Sequence, residues 1–356
     1  MQFHMSCLLA GLIAAATIPA CGTSSSPAND ARPGTDAGAV PPGSPDSGSG
    51  ASDARPTPGS VTTIQLPASV KYNVFLALGT DGSIWFTDPL DYQIGRVSSS
   101  REVALFPMPT TTTKPWYMTA DGDGNMWFSE FDPVDKTPGS NRIGRITPSG
   151  VVTEFPLPST SSEPIGIILG PDGNIWFAEG NKIGRMTTSG TLDEFALPDS
   201  RFSTAGITTG PDGNLWFTEF QGARIGRITP SGTITEFPLP DPTSSPFPDK
   251  ITAGTDGNLW FLESSRDIIA RITPSGVVTE FFTPTLDSGS EGIAAGDGRV
   301  WFTEYNVGKI GYITSEGDIT EMSVLPDFQG PSSIVVARDG SIWFNGGFGK
   351  LGCYVP

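Results

Sequence analysis

One histidine and three cysteines set the first limit on chemistry in this 356-residue chain. The histidine is His4, at the extreme N-terminus, so the rest of the chain has no imidazole base or imidazole metal ligand. Chemistry therefore falls to carboxylates, aromatic rings and hydroxyls. The candidate ligand-binding residues are Trp116, Tyr117, Asp249, Glu291, Glu304 and Ser332. An aromatic ring facing carboxylates suits a cationic or sugar-like ligand. Paired acids such as Glu291 and Glu304 could instead do acid–base work, if burial separated their pKa values. Asp121-Gly122-Asp123-Gly124-Asn125 spaces its oxygens as a calcium loop does. Met126 stands where such a loop needs glycine, which favours a plain turn. A net charge of -17 argues against nucleic acid and would steer a cation toward the protein.

These candidates stand out against a repeat. The pattern Asp-Gly-x-apolar-Trp-Phe recurs seven times, from Asp81-Phe86 to Asp339-Phe344, with tryptophans at 85, 127, 176, 216, 260, 301 and 343. Only Trp116 lies outside the pattern. Each unit reads as four short strands. In the third unit they are Ile165-Leu169, Asn174-Glu179, Lys182-Thr187 and Thr191-Leu197, separated by Gly and Ser-Gly turns. Abundant glycine (44) and proline (33) leave little room for long helices. About 42 residues and four strands per unit describe the blade of an all-β, seven-bladed β-propeller.

The chain ends predict how the ring closes. The seventh unit stops after its third strand, and Val61-Pro67 matches Val152-Pro158, the fourth strand of an earlier unit. Residues 61–67 should therefore pair onto the last blade, leaving only short, protected edges. Upstream, Cys7-Pro19 is an apolar run too short to span a bilayer, and it reads as a signal peptide over residues 1–20. Ile18-Pro19-Ala20-Cys21 has the form of a lipobox, with Cys21 as the lipidation site. Residues 21–59 are rich in Ser, Gly, Pro, Ala and Asp and read as a disordered tether, its ends roughly 35 Å apart. The propeller occupies 60–356.

Comparison of the units with one another separates scaffold from site. Trp and Phe occur in every second strand and point to opposite faces, so they should fill the cores between blades. The residue two after Phe is acidic in six units: Asp88, Glu130, Glu179, Glu219, Glu263 and Glu304. Arg96, Arg145, Arg185, Arg227 and Arg271 recur on the next strand, and the expectation is an acid–Arg pair between neighbouring strands. Tyr312 replaces that arginine in the sixth unit, leaving Glu304 as a carboxylate near the channel mouth. In the seventh unit Asn345 and Cys353 stand where the pair is expected. At the start of the innermost strands the residues are Val74, Trp116, Ile165, Ala205, Asp249, Glu291 and Ser332. The once-only members of that ring supply most of the candidate mouth. The inserts 131–142 and 241–250 should lie at the same face.

The units GPDGNIWFAEGNKIGRMT and ARIGRITPSGTITEFPLP, with GPDGNLWFTE, resemble those of streptogramin B lyases, also called virginiamycin B lyases. The resemblance spans about residues 61–356. It implies a seven-bladed propeller whose relatives open a cyclic depsipeptide antibiotic by magnesium-dependent elimination. It further implies two histidines and two glutamates at the mouth. Here Glu291 and Ser332 fall at the histidine positions, and Gly330 and Gly347 at the glutamate positions. Elimination needs a base and a cation that stabilises the developing oxyanion. The resemblance thus implies a fold without its catalytic residues or its magnesium site, and no cofactor is expected.

The function expected from the sequence is that of a lipid-anchored propeller in a bacterial cell envelope, at the outer membrane where the host has one. It is a monomer that binds a small molecule, glycan or peptide at its mouth, touches the membrane only through the lipid, and is not catalytic. Three readings compete with this one: a lyase of the same architecture with another substrate, a structural envelope lipoprotein, and a channel of solvated side chains that binds nothing specific.

Overall fold

The computed structural model describes residues 59–356, apart from 73, 133–139, 160–161, 202, 243–246, 325–329 and 348. The segments expected to be a signal peptide and a tether, Cys21 with them, and much of both inserts lie outside the described residues. The rest forms seven antiparallel sheets of four strands each, with no α-helix among the described residues. The third blade is typical, running from the innermost strand outward through Pro164–Leu169, Ile175–Glu179, Lys182–Met186 and Leu192–Ala196.

The seventh blade closes as expected. Ile334–Val336, Ile342–Gly346 and Lys350–Tyr354 are joined by Val61–Gln65, in register from Val61 opposite Tyr354 to Gln65 opposite Lys350. Leu66 continues the latch, its amide donating to the Gly349 carbonyl at 2.9 Å.

Both faces of a blade meet another blade, so its second strand is buried on both sides. Six of the seven repeat tryptophans and the matching phenylalanines are almost wholly buried. Their partners follow one rule: the Trp of one blade shares a core with the Phe of the next. Trp127 packs with Phe177, Trp216 with Phe261, and Trp260 with Phe302. The ring closes on the same contact, Trp343 with Phe86, in a cluster that includes Ile64 and Leu66 of the latch. Each such side chain contributes about 1.5–3 kcal/mol through burial. In six blades the third strand carries glycine where the Phe ring lies on it, and a Cβ on Gly184 would come 2.3 Å from Phe177; the fifth blade has Ala270 there.

In blades three to six the repeated Asp of the turn accepts from the indole N–H of the same tryptophan, whereas in blade seven Trp343 donates to Ser341 Oγ. The distances are 2.9 Å for Trp176 to Asp172 and 3.0 Å for Trp216 to Asp212. In the second blade Asp121 takes this role. It accepts from Trp127 and from the amides of Asp123 and Asn125, so the calcium-like spacing is a turn.

One expectation is overturned. The repeated arginines do not pair with the repeated acids. In the third blade Trp176 stands opposite Arg185 and Glu179 opposite Lys182. A short hairpin fixes this register: the last residue of one strand faces the first of the next, and Arg185 lies three positions further in. Arg185 stacks over Trp176 and Phe195, 5.5 Å from each ring centroid, as Arg227 does over Trp216 and Phe237. The cations near the acids are Arg142, Lys182, Arg224, Arg266 and Lys309. In the seventh blade Gly346, not Asn345, holds the acid position, opposite Lys350.

A chain beginning at Ser60 is expected to melt with the full-length protein. A chain beginning at Ser69 loses the latch strand and Leu66 from the core, and should be less stable by about 3–5 kcal/mol. Calorimetric melting of the two truncations checks this.

Candidate functional site

The innermost strands of all seven blades surround a central channel. A cavity of about 150 Å³ within it is lined by residues from every blade, including Phe75, Tyr117, Lys250 and Ser332. Five of these strands start regularly, then bulge, with register breaks at Pro115/Met118, Pro164/Ile167, Thr204/Ile207, Pro248/Ile251 and Ser290/Ile293. A bulge re-aims the side chains that it carries. The bulges hold Trp116, Tyr117, Asp249, Lys250 and Glu291.

Crowding decides which blades show a side chain here. A Cβ on Gly166 would lie 2.6 Å from the Ala205 carbonyl oxygen, and one on Gly206 would lie 2.4 Å from that of Asp249. Blades three, four and six have glycine at this place, whereas blades one, two, five and seven carry Phe75, Tyr117, Lys250 and Ser333. Phe75 and Tyr117 stack with centroids 3.8 Å apart. The Lys250 ammonium lies 5.0 Å from the Tyr117 centroid and 2.6 Å from Asp249 Oδ2. The Asp249 side chain is 3% exposed and that of Lys250 14%.

This cluster holds its charges firmly. Burial alone would lower the Lys250 pKa, but the Asp249 carboxylate and the Tyr117 oxygen outweigh it and hold the ammonium above the usual lysine range. Burial, then Asp249 and Glu291, raise Tyr117 above the ordinary phenol range against the opposing pull of Lys250. Tyr72 is raised as well, by burial first, then by Tyr305 and Glu291. Lys250 is therefore a fixed cation and Tyr117 a neutral hydroxyl.

The six sequence candidates divide. Tyr117 and Ser332 line the cavity. Asp249 reaches it through Lys250, and partly exposed Glu291 acts electrostatically on Tyr72 and Tyr117. Trp116 is 4% exposed, stacks on Phe131 and donates from Nε1 to the Phe131 carbonyl at 3.1 Å, so it packs rather than presents a ring face. Glu304 has no exposed surface and lies behind the mouth, opposite Ser290, because the second strand is covered by its neighbours. Ser332 is engaged: its amide donates to Asn345 Oδ1 at 2.8 Å, and its hydroxyl accepts from Asn345 Nδ2 at 2.9 Å. Asn345 also donates to the Val74 carbonyl at 3.2 Å, stapling the last blade to the first.

Phe75, Lys250, Tyr72 and Tyr305 were missed in the sequence. A signal for the first two existed, one position beyond the ring of residues compared above, where glycine alternates with larger side chains.

Seven four-stranded blades around a channel with a mouth cavity define a seven-bladed β-propeller with its candidate site at the axis. The chain belongs to the virginiamycin B lyase family, whose sequence signature matches residues 54–181 and 178–352. A solved streptogramin B lyase is 36% identical, with a TM-score of 0.75, over 83% of this chain and 96% of that one. A catalytically inactive histidine-to-alanine variant of virginiamycin B lyase from Staphylococcus aureus, solved with quinupristin, is likewise 36% identical, with a TM-score of 0.75, over 83% of this chain and 98% of that one. YCF48 bound to D1 peptide, at 17% identity and a TM-score of 0.64, covers 85% of this chain and 96% of its own, and shares the fold. No match was found among curated proteins.

Replacing Lys250 by Met strips the ammonium from a buried carboxylate and should cost about 3–5 kcal/mol. Adding Asp249→Asn should recover much of that loss. Urea unfolding of the single and double variants measures both.

Proposed function

We propose that this protein is a lipid-anchored member of the virginiamycin B lyase family that binds a ligand at its channel mouth and does not perform the family's elimination. The Lys250–Asp249–Tyr117 cluster in the channel is the observation that carries the binding reading. It is a buried, charge-balanced polar set in a cavity walled otherwise by apolar side chains, glycine, Ser332 and Ser333, the usual make-up of a small-molecule site.

The loss of elimination is supported by the residues at the family's catalytic positions. The chain's one histidine is His4. In the Staphylococcus aureus relative, a single histidine-to-alanine change gives a catalytically inactive protein. The residues here do not fit the family's magnesium. Gly330 has φ of 63°, and a Cβ there would lie 2.7 Å from the Tyr305 ring. A glutamate at 330 would need both a strained backbone and a displaced Tyr305. Gly347 brings no carboxylate either, and among the described residues no three His, Cys, Asp or Glu side chains are placed to share a metal ion.

The proposed anchor is Cys21, followed by a spacer over 22–59 that holds the propeller away from the bilayer. The ligand class is a small molecule, glycan or peptide. Thermal-shift and calorimetric screening of the propeller against those classes is expected to find a ligand whose binding Tyr117→Ala weakens at least ~10-fold, a loss of about 1.4 kcal/mol. A ligand bound equally well by that variant would contradict the site. In parallel, quinupristin incubated with the protein and magnesium should stay cyclic. Because elimination leaves the mass unchanged, chromatographic retention is the readout.

A further inference from the structure

Behind the mouth, the second strands end on buried carboxyls. Glu130, Glu179, Glu219, Glu263 and Glu304 stand opposite Pro115, Pro164, Thr204, Pro248 and Ser290, the regular residues just before the five inner-strand bulges. None is more than 1% exposed. Tyr117, Lys250 and Glu291 sit within bulges backed by three of them.

Three of these carboxyls, Glu179, Glu219 and Glu304, receive no well-formed hydrogen bond on either oxygen. Each of them faces at least one further acid. Around Glu179 stand Ser162, Glu194 and Lys182. Around Glu219 stand Glu236, Arg224 and Asp199, and around Glu304 stand Glu321, Ser288 and Lys309. The cations serve the outer acids more closely: Lys182 lies 3.1 Å from Glu194 and Lys309 2.8 Å from Glu321. Arg224 lies 3.5 Å from Glu236 and 3.9 Å from Glu219. Two carboxylates side by side in a buried site repel; one proton between them turns the contact into a hydrogen bond.

We infer that these inner carboxyls are a proton-operated catch beside the channel mouth: protonated, each bonds to the outer glutamate next to it and fixes the strand end that backs a bulged entry of the innermost strand, and on losing the proton the pair repels and that end loosens. Burial, reinforced by the outer glutamates, raises Glu179, Glu219 and Glu304 to about 7. Burial, with Glu280 and Asp241, raises Glu263 to about 7 against Arg266, which donates to it at 3.0 Å, and burial, with Glu154, raises Glu130 to about 8 against Thr113, which donates to it at 3.0 Å, and Arg142. A carboxyl whose folded pKa is raised contributes stability that is fully present below its unfolded pKa and is lost as pH rises through the folded value. The catch is therefore closed near pH 5 and opens through pH 7–8. Asp172, Asp212, Asp256 and Glu321 shift the other way and lose their contribution only in stronger acid, below about pH 4. The catch goes beyond the ligand-binding reading, and its readouts need no ligand.

The test compares the wild type with Glu304→Gln and Glu179→Gln at pH 5.5 and 8.5, by thermal midpoint and by hydrogen–deuterium exchange corrected for the intrinsic rate. The amide supplies the donor that the proton supplies at low pH. The wild type should melt at least ~5 °C lower at pH 8.5 than at 5.5, and exchange faster there over 290–293 and 164–167 than over the turns at the opposite channel end. Each variant should gain roughly 2–4 °C at pH 8.5, change little at pH 5.5, and slow exchange only in its own blade. If Glu304→Gln does not fold, Glu179→Gln reads the same effect in another blade. A midpoint flat between the two pH values, variants less stable at pH 8.5, or exchange that rises equally at both channel ends would overturn the inference.

Discussion

The molecule depends on one contact made seven times: the tryptophan of each blade lying against the phenylalanine of the next. The fold leaves the second strand no solvent face, so both sides must be apolar and large. Its other regularities follow from accommodating those rings. Glycine sits on the third strand under the Phe, aspartate in the turn takes the indole N–H, and arginine lies over the Trp from the neighbouring strand. The last of these contacts joins Trp343 to Phe86 and includes the latch residues Ile64 and Leu66, so ring closure uses the same chemistry as the ring itself.

This explains why the architecture was legible from residues alone. A side chain that must recur in every blade leaves a period in the sequence, and a lone strand before the first blade with a three-stranded unit at the end reveals the closure. The acid–Arg pairing misled because spacing along the chain does not give register across a hairpin. Only the turn length puts Glu179 beside Lys182 and Arg185 over Trp176. Trp116 and Glu304 misled for another reason. Trp116 occurs once and is distinctive without being exposed, filling space against Phe131; Glu304 was set apart only by Tyr312, which replaces an arginine that lies over the tryptophan and not beside the acid, and it is buried like the other repeated acids. Lys250 was overlooked because a bulge, invisible in a strand pattern, turns its side chain into the channel.

The site divides along the same line. What repeats is scaffold: the rings, the turns and the buried rim carboxyls. What occurs once lies at the axis, where Lys250, Asp249, Tyr117 and Phe75 make a compact polar and aromatic cluster. Family membership follows from the scaffold, whereas the chemistry of the mouth follows from the few positions that the scaffold leaves unconstrained. Gly330 and Tyr305 illustrate the point: the backbone turns as the fold requires, and a tyrosine fills the room that a carboxylate there would use.

The propeller is the family's, and we propose that its mouth is not built for the family's elimination. The direct measurement is the rate of magnesium-dependent ring opening of quinupristin by the protein before and after rebuilding the mouth. The rebuilt chain carries Glu291→His, Gly330→Glu, Ser332→His and Gly347→Glu, with Tyr305→Ala to make room. The account predicts background rates for the unaltered chain and turnover above background for the rebuilt one. Turnover by the unaltered chain, at a rate that these substitutions do not raise, would contradict it.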